Sequence, residues 1–396
     1  MHICFLCDEY PPGPHGGIGS LTQTMGRRLV ARGHRVSVVG IYRQSGAAVE
    51  DDHGVRVVRL PHSRLPWTGF LVHGVRLRRA LRRLHAEWPI DVVEGSELSF
   101  ALLPRRSPWA RVIRLNGGHH FFATTLGRHP RPWRSWLERR SFARADHLCA
   151  VSEFVAKVTR PLLALGERPI EILPNPVADD YFRRDRTDGD AGLIVFVGTL
   201  CEKKGVRQLV LALPKVVAAV PEARLQLIGR DTVDRASGVS FAERLRGLLP
   251  PELAARLEFT GHLGRAEVVR RLAQADVAAF PSHMESQGLV IVEAMAGGKA
   301  VVTSRTGPGP EIVEHGLSGL LCDPHDPTSI ADQLISLLTN PALKHALGRA
   351  ARQRAADVFS EAALYPRAES FYRRCADASR GDAASVADDA VRVEVR

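Results

Sequence analysis

Short apolar runs alternate along the chain with segments in which apolar residues recur every three or four positions. The runs predict buried strands, and the periodic segments predict the helices that connect them. In the first half the predicted strands span 2–8, 35–39, 55–60, 91–94, 111–115, 147–151 and 170–173. In the second half they span 193–197, 224–228, 257–260, 277–280 and 300–303. This alternation is typical of doubly wound α/β domains with parallel sheets.

The pattern breaks once, at the polar run 185–190, which predicts a linker. Because single cores seldom grow to 396 residues, two domains are expected. We place an N-terminal Rossmann-like domain at 1–188, completed by a C-terminal helix at 359–375, and a second one at 189–358. The tail, 376–396, lacks aromatic residues and periodicity and is expected to be disordered. Ligands bind at the carboxyl ends of such strands, so we expect α/β lobes facing each other across a cleft.

Composition is that of an ordinary globular protein, with 45% hydrophobic and 24% charged residues. No apolar run is long enough to cross a bilayer, and the first residues show no basic leader or cleavage site, which predicts a cytoplasmic protein. Six cysteines are scattered, which argues against a disulfide framework. Cys4 and Cys7 lie three apart on a predicted strand and point to opposite faces, so we interpret them as buried strand residues.

Positive charge is concentrated in the first half. Residues 1–190 carry 29 Lys and Arg against 19 Asp and Glu, whereas residues 191–396 carry 25 against 24. The excess lies in arginine clusters at 76–83, 105–114 and 128–144. Such clusters attract phosphates on lipid headgroups, phosphorylated acceptors or nucleic acid, although a plain solvated surface accounts for them as well. They suggest an anionic or membrane-borne acceptor and peripheral association with the inner face of the membrane.

The strongest chemical signal follows the predicted strand 277–280. A short loop carries Glu285, Gly288 allows a close backbone approach, and a helix then begins. Free amides at that helix start would bind a phosphate in the positive end of the helix dipole. Glu285 would meet a sugar hydroxyl, and Glu293 could accept hydrogen bonds from both hydroxyls of a ribose.

Glu285 and Glu293 with Gly288 between them resemble the signature of the family 4 retaining glycosyltransferases, which have the GT-B fold. Segment 197–205 resembles the family's donor-phosphate loop, and 15–19 resembles its glycine-rich N-terminal loop. Segments 151–154, 173–177 and 310–319 agree as well. The resemblance runs over nearly the whole chain to about position 374 and is strongest from 193 to 325.

This resemblance implies that Lys204 binds the donor diphosphate, Glu293 the ribose, and Glu285 the sugar. It implies that Gly17 lets a backbone amide approach the leaving phosphate. The positions so assigned to the nucleotide sugar are Gly17, Thr199, Lys204, Glu285, Gln287, Gly288, Leu289, Val290 and Glu293.

Three positions depart from the family pattern. Thr199 stands where an arginine is usual, and Lys203 or Arg230 would have to supply that charge. Gln287 replaces an aromatic residue. Asn116 stands in register with the family's first-domain histidine. Either His119 or His120 fills that role from a shifted loop, with His119 favoured, or Asn116 fills it as a neutral donor.

The resemblance implies a retaining transfer of a hexose or N-acetylhexosamine from a nucleotide sugar to an acceptor hydroxyl, in polysaccharide, glycolipid or natural-product glycoside synthesis. The one Asp-x-Asp motif, 188–190, lies in the linker, so no metal and no cofactor are expected. A UDP-sugar is favoured over GDP- or ADP-sugars. Two alternatives stay open. A nucleotide-sugar epimerase or phosphorylase-like enzyme can share this fold, and a non-catalytic nucleic-acid binder would leave the Glu285–Glu293 pattern unexplained.

Overall fold

The computed structural model describes residues 1–14, 16–43, 47–63, 69–183, 189–233 and 237–393, with side chains up to residue 380. The chain divides into two compact units. The first contains Met1–Val151, Val155–Leu173 and the chain from Tyr365 onward, and the second contains Ser152–Phe154 and Pro174–Leu364.

The first unit is built on a sheet that has eight strands in the described part of the chain, in the order β3-β4-β2-β1-β5-β6-β7-β8. All neighbouring strands are parallel except β3, which runs antiparallel to β4. The strands are β1 (His2–Leu6), β2 (Arg35–Tyr42), β3 (Ala48–Asp52), β4 (Val55–Pro61), β5 (Val92–Gly95), β6 (Ala110–Leu115), β7 (His147–Ala150) and β8 (Ile170–Ile172). Its helices are α1 (Gly17–Ala31), α2 (Gly69–Glu87), α3 (His119–Thr125), α4 (Pro132–Phe142) and α5 (Glu153–Leu162).

The second unit is built on a parallel sheet, with the order β11-β10-β9-β12-β13-β14 in its described residues. The strands are β9 (Leu193–Val197), β10 (Arg224–Ile228), β11 (Leu257–Gly261), β12 (Val277–Phe280), β13 (Val301–Ser304) and β14 (Leu320–Cys322). The helices are α6 (Val206–Ala219), α7 (Phe241–Arg246), α8 (Pro251–Ala254), α9 (Arg265–Gln274), α10 (Leu289–Ala296), α11 (Gly309–Ile312), α12 (Pro327–Leu338) and α13 (Pro341–Arg354). A π-helical turn, Ala355–Phe359, extends α13.

A final helix, α14 (Glu361–Val393), returns the chain to the first unit. Tyr372 is fully buried there and donates a hydrogen bond of 2.7 Å to Glu94, which also pairs with Arg114 at 2.8 Å. The charges of Arg114 and Glu94 neutralise each other in this buried triad, which avoids the cost of an unpaired charge in the core. The helix continues to Val393, across the segment for which the sequence predicts a disordered tail.

The second unit begins earlier in the chain than the position expected from the sequence. Val177 pairs with Ser360 in an isolated bridge, and its amide donates to the Phe359 carbonyl at 2.8 Å. Tyr181 packs in the second unit's apolar core. Segment 174–183 therefore belongs to the second unit, because its few apolar residues are buried there. Four of the six predicted linker residues, 185–188, lie outside the described residues.

Two strands were not predicted. β3 pairs with β4 at the edge of the first sheet, yet three of its five residues are acidic. β14 has only three residues and follows a turn at Gly319. β3 is an exposed, polar edge strand, so the apolar pattern that predicts central strands is missing there. β14 is apolar and mostly buried, but its three residues are too few to form a recognisable run. No helix in the described part of the chain is long and apolar enough to span a membrane.

Candidate active site

Two loops of the second unit follow β9 and β12, which are neighbours in the middle of the sheet. Gly205 closes the first loop with a left-handed φ of +66°, and a Cβ on it would lie 1.8 Å from the carbonyl oxygen of Pro281. The amide of His283 donates to the carbonyl of Lys203 at 2.9 Å. The two loops are therefore held together by backbone contacts that require glycine at position 205.

An ion pair between Lys204 and Glu285 joins the same two loops. Each of these side chains keeps 19% of its surface exposed. The charges neutralise each other here, and both groups remain open to a ligand. The structure thus brings together two residues that lie 81 positions apart in the sequence and that were predicted to share a donor site.

Helix α10 begins directly after the second loop. Gly288 caps it with a left-handed φ of +79°, and a Cβ there would meet the side chain of Ile291 at 2.7 Å. The amides of Gly288, Leu289 and Val290 have no carbonyl four residues back within the helix. They lie at the positive end of the helix dipole, which makes this end of the sheet suitable for a phosphate.

Gln287 has a structural role that the sequence did not reveal. Its side chain is buried, accepts the amide of Asn175 at 2.7 Å and donates to the carbonyl of the same residue at 2.9 Å. Ser152 donates to the carbonyl of Ser286 at 2.6 Å. These bonds fix the loop that leads into α10. The side chain of Gln287 is thereby committed to Asn175, and only its backbone is left for a ligand.

Glu293 lies on the second turn of α10, among residues from two other elements. Burial raises the pKa of its carboxyl to about 7, against the opposing effects of a hydrogen bond from Tyr181 and the charge of Arg265. Arg265 also pairs with Asp180 at 2.8 Å. With this pKa the Glu293 carboxyl is only partly ionised at neutral pH. Hydrogen bonds from ligand hydroxyls would stabilise its ionised form, which is the better acceptor.

Thr199 is exposed in the loop after β9. The next amide, that of Leu200, donates to the carbonyl of Arg230 at 2.9 Å, so the loop after β10 runs alongside. Arg230 is exposed, and its guanidinium makes no ion pair with any described residue. Of the two proposed substitutes for the family arginine, Arg230 therefore lies beside Thr199 with its charge uncommitted.

In the first unit, helix α1 begins at Gly17 after the glycine loop. Gly17 is exposed, and a Cβ on it would meet no atom within 4 Å. The Glu9 carboxylate accepts the amide of Gly19 at 2.9 Å and so satisfies one of the free donors of the helix start. The other residue of interest in this loop, His15, lies outside the described residues.

Asn116 follows β6 at the carboxyl edge of the same sheet. Its amide donates to the buried carboxyl of Glu97 at 2.6 Å, and burial raises the pKa of Glu97 to about 7. Asn116 and Ile18 line one small cavity. The structure therefore places the family-register residue beside the start of α1.

His119 and His120 are both engaged in the fold. His120 is buried and bonds through Nδ1 to Glu138, whose carboxylate also accepts the amides of His119 and His120 at 2.8 and 3.0 Å. A Cβ on Gly118 would lie 1.9 Å from the same carboxylate. His119 accepts the amide of Arg131 at its Nε2 atom, at 2.7 Å. Nε2 of His119 and Nδ1 of His120 are therefore both engaged within the loop, and neither atom is available to a substrate.

No group of three or more His, Cys, Asp or Glu residues that could hold a metal ion occurs among the described residues. In the Asp-x-Asp motif, Asp188 lies outside the described part of the chain. Asp190 pairs with Arg224 at 3.2 Å.

Sequence reasoning missed Tyr181, Glu97 and Glu138. Tyr181 contacts Glu293 from a part of the chain without periodicity. Glu97 and Glu138 are buried carboxyl groups, and such a group indicates a function or a specific partner only once its burial is known. Nothing in their local sequence separates them from surface residues.

Two family models match the chain. The model for glycosyl transferases group 1 matches residues 177–354, and the model for glycosyltransferase family 4 matches residues 15–181. The glycogen synthase of Mycobacterium tuberculosis is 29% identical over 89% of this chain and 90% of its own length. The phosphatidyl-myo-inositol mannosyltransferase of the same organism is 35% identical over 89% and 93%.

Solved structures agree on the fold. Sucrose-phosphate synthase from Thermosynechococcus elongatus has a TM-score of 0.79 at 21% identity, covering 95% of this chain and 99% of that one. Anabaena Alr3699/HepE in complex with UDP has a TM-score of 0.70 at 18% identity, covering 94% and 100%. With a relative of 35% identity over most of both lengths, this chain belongs to the family 4 glycosyltransferases and has their GT-B fold.

Proposed function

We propose that this glycosyltransferase is retaining and metal-independent, and that it moves a hexose or N-acetylhexosamine from a nucleoside-diphosphate sugar to an acceptor hydroxyl. The observation that carries the proposal is the meeting of Lys204, Glu285 and the start of α10 at the carboxyl edge of the second sheet. A donor diphosphate needs positive charge and amide donors, and this edge supplies both.

Donor binding would exchange the partner of Lys204. In the free protein its ammonium pairs with Glu285. A diphosphate at the amides of Leu289 and Val290 would attract the ammonium and release the Glu285 carboxylate to accept hydrogen bonds from sugar hydroxyls. Such an exchange keeps both charges compensated before and after binding, which avoids the cost of a buried, unpaired ion.

The transfer itself breaks the bond between the anomeric carbon and the phosphate oxygen. The acceptor oxygen attacks from the face that the nucleoside diphosphate leaves, and the acceptor proton passes to the departing phosphate oxygen. The negative charge that develops on this oxygen is stabilised by Lys204 and by the amides of α10. Retention of configuration follows from this same-face geometry.

On the acceptor side we propose Asn116, rather than His119, as the residue in the family histidine's role. Asn116 lines a cavity with Ile18 at the start of α1, whereas His119 uses Nε2 to accept a backbone amide. The side-chain amide of Asn116 donates one hydrogen to the Arg114 carbonyl at 3.2 Å, and as a neutral group it would donate the other to the transferred sugar without titrating. The glycine loop would bring the amides at Gly17 and Ile18 to the leaving phosphate.

The donor base is proposed to be uracil. Anabaena Alr3699/HepE, with the same fold, binds UDP, and further structures contain UDP-glucose. Other relatives are named for GDP-mannose. Thermal unfolding with UDP and with GDP distinguishes the two bases.

For the acceptor we propose an anionic, membrane-borne molecule. Leu71 and Val75 on α2 and Trp133 and Trp136 on α4 are each about half exposed. Trp133 meets Phe70 edge-on at 4.9 Å and stacks on Trp136 at 5.3 Å, so the two helices form one patch. Arginines 76, 78 and 79 lie on α2, arginines 134 and 139 lie on α4, and Arg131 directly precedes α4. Exposed tryptophans beside arginines are suited to an anionic membrane surface, and two relatives carry phosphatidylinositol in their names.

The donor proposal is tested by thermal unfolding in EDTA with UDP, GDP and ADP. A ligand at 100 times its dissociation constant adds about 2.7 kcal/mol of stability. We expect UDP to give the largest shift, Lys204→Met to abolish it, and Lys215→Met to keep it, since Lys215 is an exposed lysine paired with Asp332. A shift that appears only with added divalent ions, or that both variants lose equally, would contradict the proposal. NMR of the product's anomeric configuration tests retention.

Binding to vesicles tests the acceptor side. Vesicles containing phosphatidylglycerol should sediment the protein, and vesicles of phosphatidylcholine alone should not. The double variant Trp133→Ser/Trp136→Ser should lose binding, while Leu317→Ser, which removes an exposed apolar residue of the second unit, should retain it. Equal binding to both vesicle types, or full binding by the double variant, would exclude this docking surface.

A further inference from the structure

A cavity of about 290 Å³ lies in the first unit between the end of α2 and the loop that leads into β6. Trp109, which lines it, directly precedes β6, whereas Asn116 directly follows that strand. Six residues of strand span roughly 20 Å at about 3.3 Å per residue. The cavity is therefore at the amino edge of the sheet, opposite the edge that carries the candidate acceptor loop.

The floor of this cavity is apolar. Leu81 from α2 and Leu103 and Trp109 from the loop are all buried, with 0%, 5% and 7% of their surface exposed. The His85 ring lies tilted against Trp109 at 5.2 Å between ring centroids. A flat or apolar group of a ligand would displace water from this floor, which favours binding.

The rim carries three guanidinium groups that form no ion pair within the described part of the chain. Arg78 and Arg82 lie one turn apart on α2, Arg106 lies on the loop, and all three are exposed. None of them pairs with a carboxylate of any residue that the structure describes. Arg111 differs, because its guanidinium is committed to Asp146 at 2.7 Å. The rim therefore offers uncommitted positive charge around an apolar floor.

His85 offers a hydrogen-bond donor beside this floor. Its Nδ1 atom accepts the amide of Ile90 at 3.0 Å, so the ring in its neutral form carries the proton on Nε2. The indole nitrogen of Trp109 has no hydrogen-bond partner among the described residues, but it is fully buried and does not face the cavity. A ligand that bonds to His85 must therefore present an acceptor.

We propose that this cavity is a binding site for a small organic phosphate whose apolar or aromatic body fills the floor while its phosphate meets Arg82 and Arg106 at the rim. The site is distinct from the nucleotide-sugar site, which lies in the second unit. The proposal does not rest on the donor, the metal independence or the acceptor proposed above. It stands on the apolar floor and on the rim arginines, which pair with no carboxylate of the described residues.

Titration calorimetry with phenyl phosphate at low ionic strength tests the site. We expect Arg82→Gln/Arg106→Gln to weaken binding at least about tenfold, because two charge-assisted contacts are lost. The matched control, Arg79→Gln/Arg83→Gln, removes two exposed arginines of α2 that do not line the cavity and should leave binding within about twofold. Phenol and inorganic phosphate should each bind at least about tenfold more weakly than phenyl phosphate.

Three results would overturn the proposal. Equal weakening by both double variants would show that net charge alone attracts the phosphate. Unchanged binding in Arg82→Gln/Arg106→Gln would locate phenyl phosphate elsewhere, the donor site included. Inorganic phosphate that binds as well as phenyl phosphate would remove any role for the apolar floor. As a second readout, phenyl phosphate should alter the fluorescence of the wild type more than that of Trp109→Phe, and an equal change in both would also contradict the site.

Discussion

The candidate donor site of the second unit and the loop after β6 in the first unit are built in opposite ways. In the second unit, Lys204 and Glu285 lie at the carboxyl ends of strands, pair with each other and remain partly exposed. In the first unit, buried carboxylates of Glu97 and Glu138 hold the backbone of the loop from inside the fold. The charged groups are partly exposed in the second unit, whereas in the first unit they are buried and accept hydrogen bonds from the backbone of the loop.

The two sites are therefore sensitive to different substitutions. The donor loops depend on a close backbone approach at Gly205, and the ion pair that joins them is partly exposed. The loop after β6 depends on the carboxyl groups of Glu97 and Glu138, because removing either one would leave buried backbone amides without acceptors. Removing an exposed ligand-binding group and removing a buried group that holds a loop should therefore have different effects in the two units.

The largest effect is expected from Gly205→Ala. The new Cβ would overlap the Pro281 carbonyl, and φ at this position is +66°. We expect at least about 4 kcal/mol of lost stability, because neither the loop after β9 nor the one after β12 can move without breaking their contact. Gly238→Ala is the control, with φ of +69° and no atom within 4 Å of the added Cβ, and it should cost only about 1–2 kcal/mol. Urea unfolding measures both, and equal losses would deny the close approach.

The support of the β6 loop is tested by Glu138→Ala. Glu138 is 1% exposed and serves two amides and the His120 ring, so its loss should cost about 3–5 kcal/mol. Glu138→Gln keeps an acceptor oxygen and should cost less. Glu87→Ala, which removes a half-exposed partner of Arg56, should cost at most about 1 kcal/mol. If Glu138→Ala unfolds in urea like Glu87→Ala, the loop does not depend on this carboxylate.

Catalysis on the acceptor side separates Asn116 from His119. If Asn116 donates to the transferred sugar, Asn116→Ala should lower kcat about 10²–10³-fold while stability changes little. His119→Ala should lower kcat far less, since its Nε2 accepts the amide of Arg131. Steady-state kinetics with the donor identified by thermal shift measures both. A larger loss in His119→Ala would restore the shifted-loop interpretation.

The smallest effect is the pH dependence of donor binding. Burial raises the pKa of Glu293 to about 7 and so favours its protonated form in the native protein. The stability that this protonation gives is full below the unfolded pKa near 4.5 and is lost as the pH rises through 7. Ribose hydroxyls need the ionised form, so affinity should fall as the pH drops, by about tenfold from pH 8 to 6. The groups facing Glu293 are Tyr181, Arg265 and Asp180.

A UDP-sugar is the suitable probe for this titration, because its diphosphate does not change charge over that range. Calorimetry of the wild type near pH 7 should show protons released on binding, as the Glu293 carboxyl ionises. Glu293→Gln should bind more weakly and with the same affinity at pH 6 and 8. A wild-type affinity that is flat with pH would mean that Glu293 does not meet the ribose.

The comparison also explains what the sequence could predict. Strands such as β9 and β12 are buried on both faces, so their apolar runs are visible, and the alternation with helices predicted both sheets. Glu285, Gly288 and Glu293 lie within one strand–loop–helix segment, so local reasoning could assign them to the carboxyl edge. Family membership confirmed the resemblance on which their roles depend.

The parts that could not be predicted depend on contacts between distant residues. Glu138 reaches the loop at His119 from 19 positions away, and Gln287 reaches Asn175 across 112. Neither partner can be read from local spacing. The acidic strand β3 was missed because an edge strand needs no apolar run on both faces. In each case the structure depends on a distant packing partner, which the secondary-structure preferences of the local sequence do not reveal.

If a lysine and helix amides hold the donor diphosphate in the second unit without a metal ion, a crystal structure of the protein with UDP, grown in EDTA, will show it. We expect the diphosphate within hydrogen-bonding distance of the Lys204 ammonium and the amides of Leu289 and Val290, with the ribose at Glu293. A diphosphate located elsewhere, or one that binds only when a divalent ion is supplied, would contradict it.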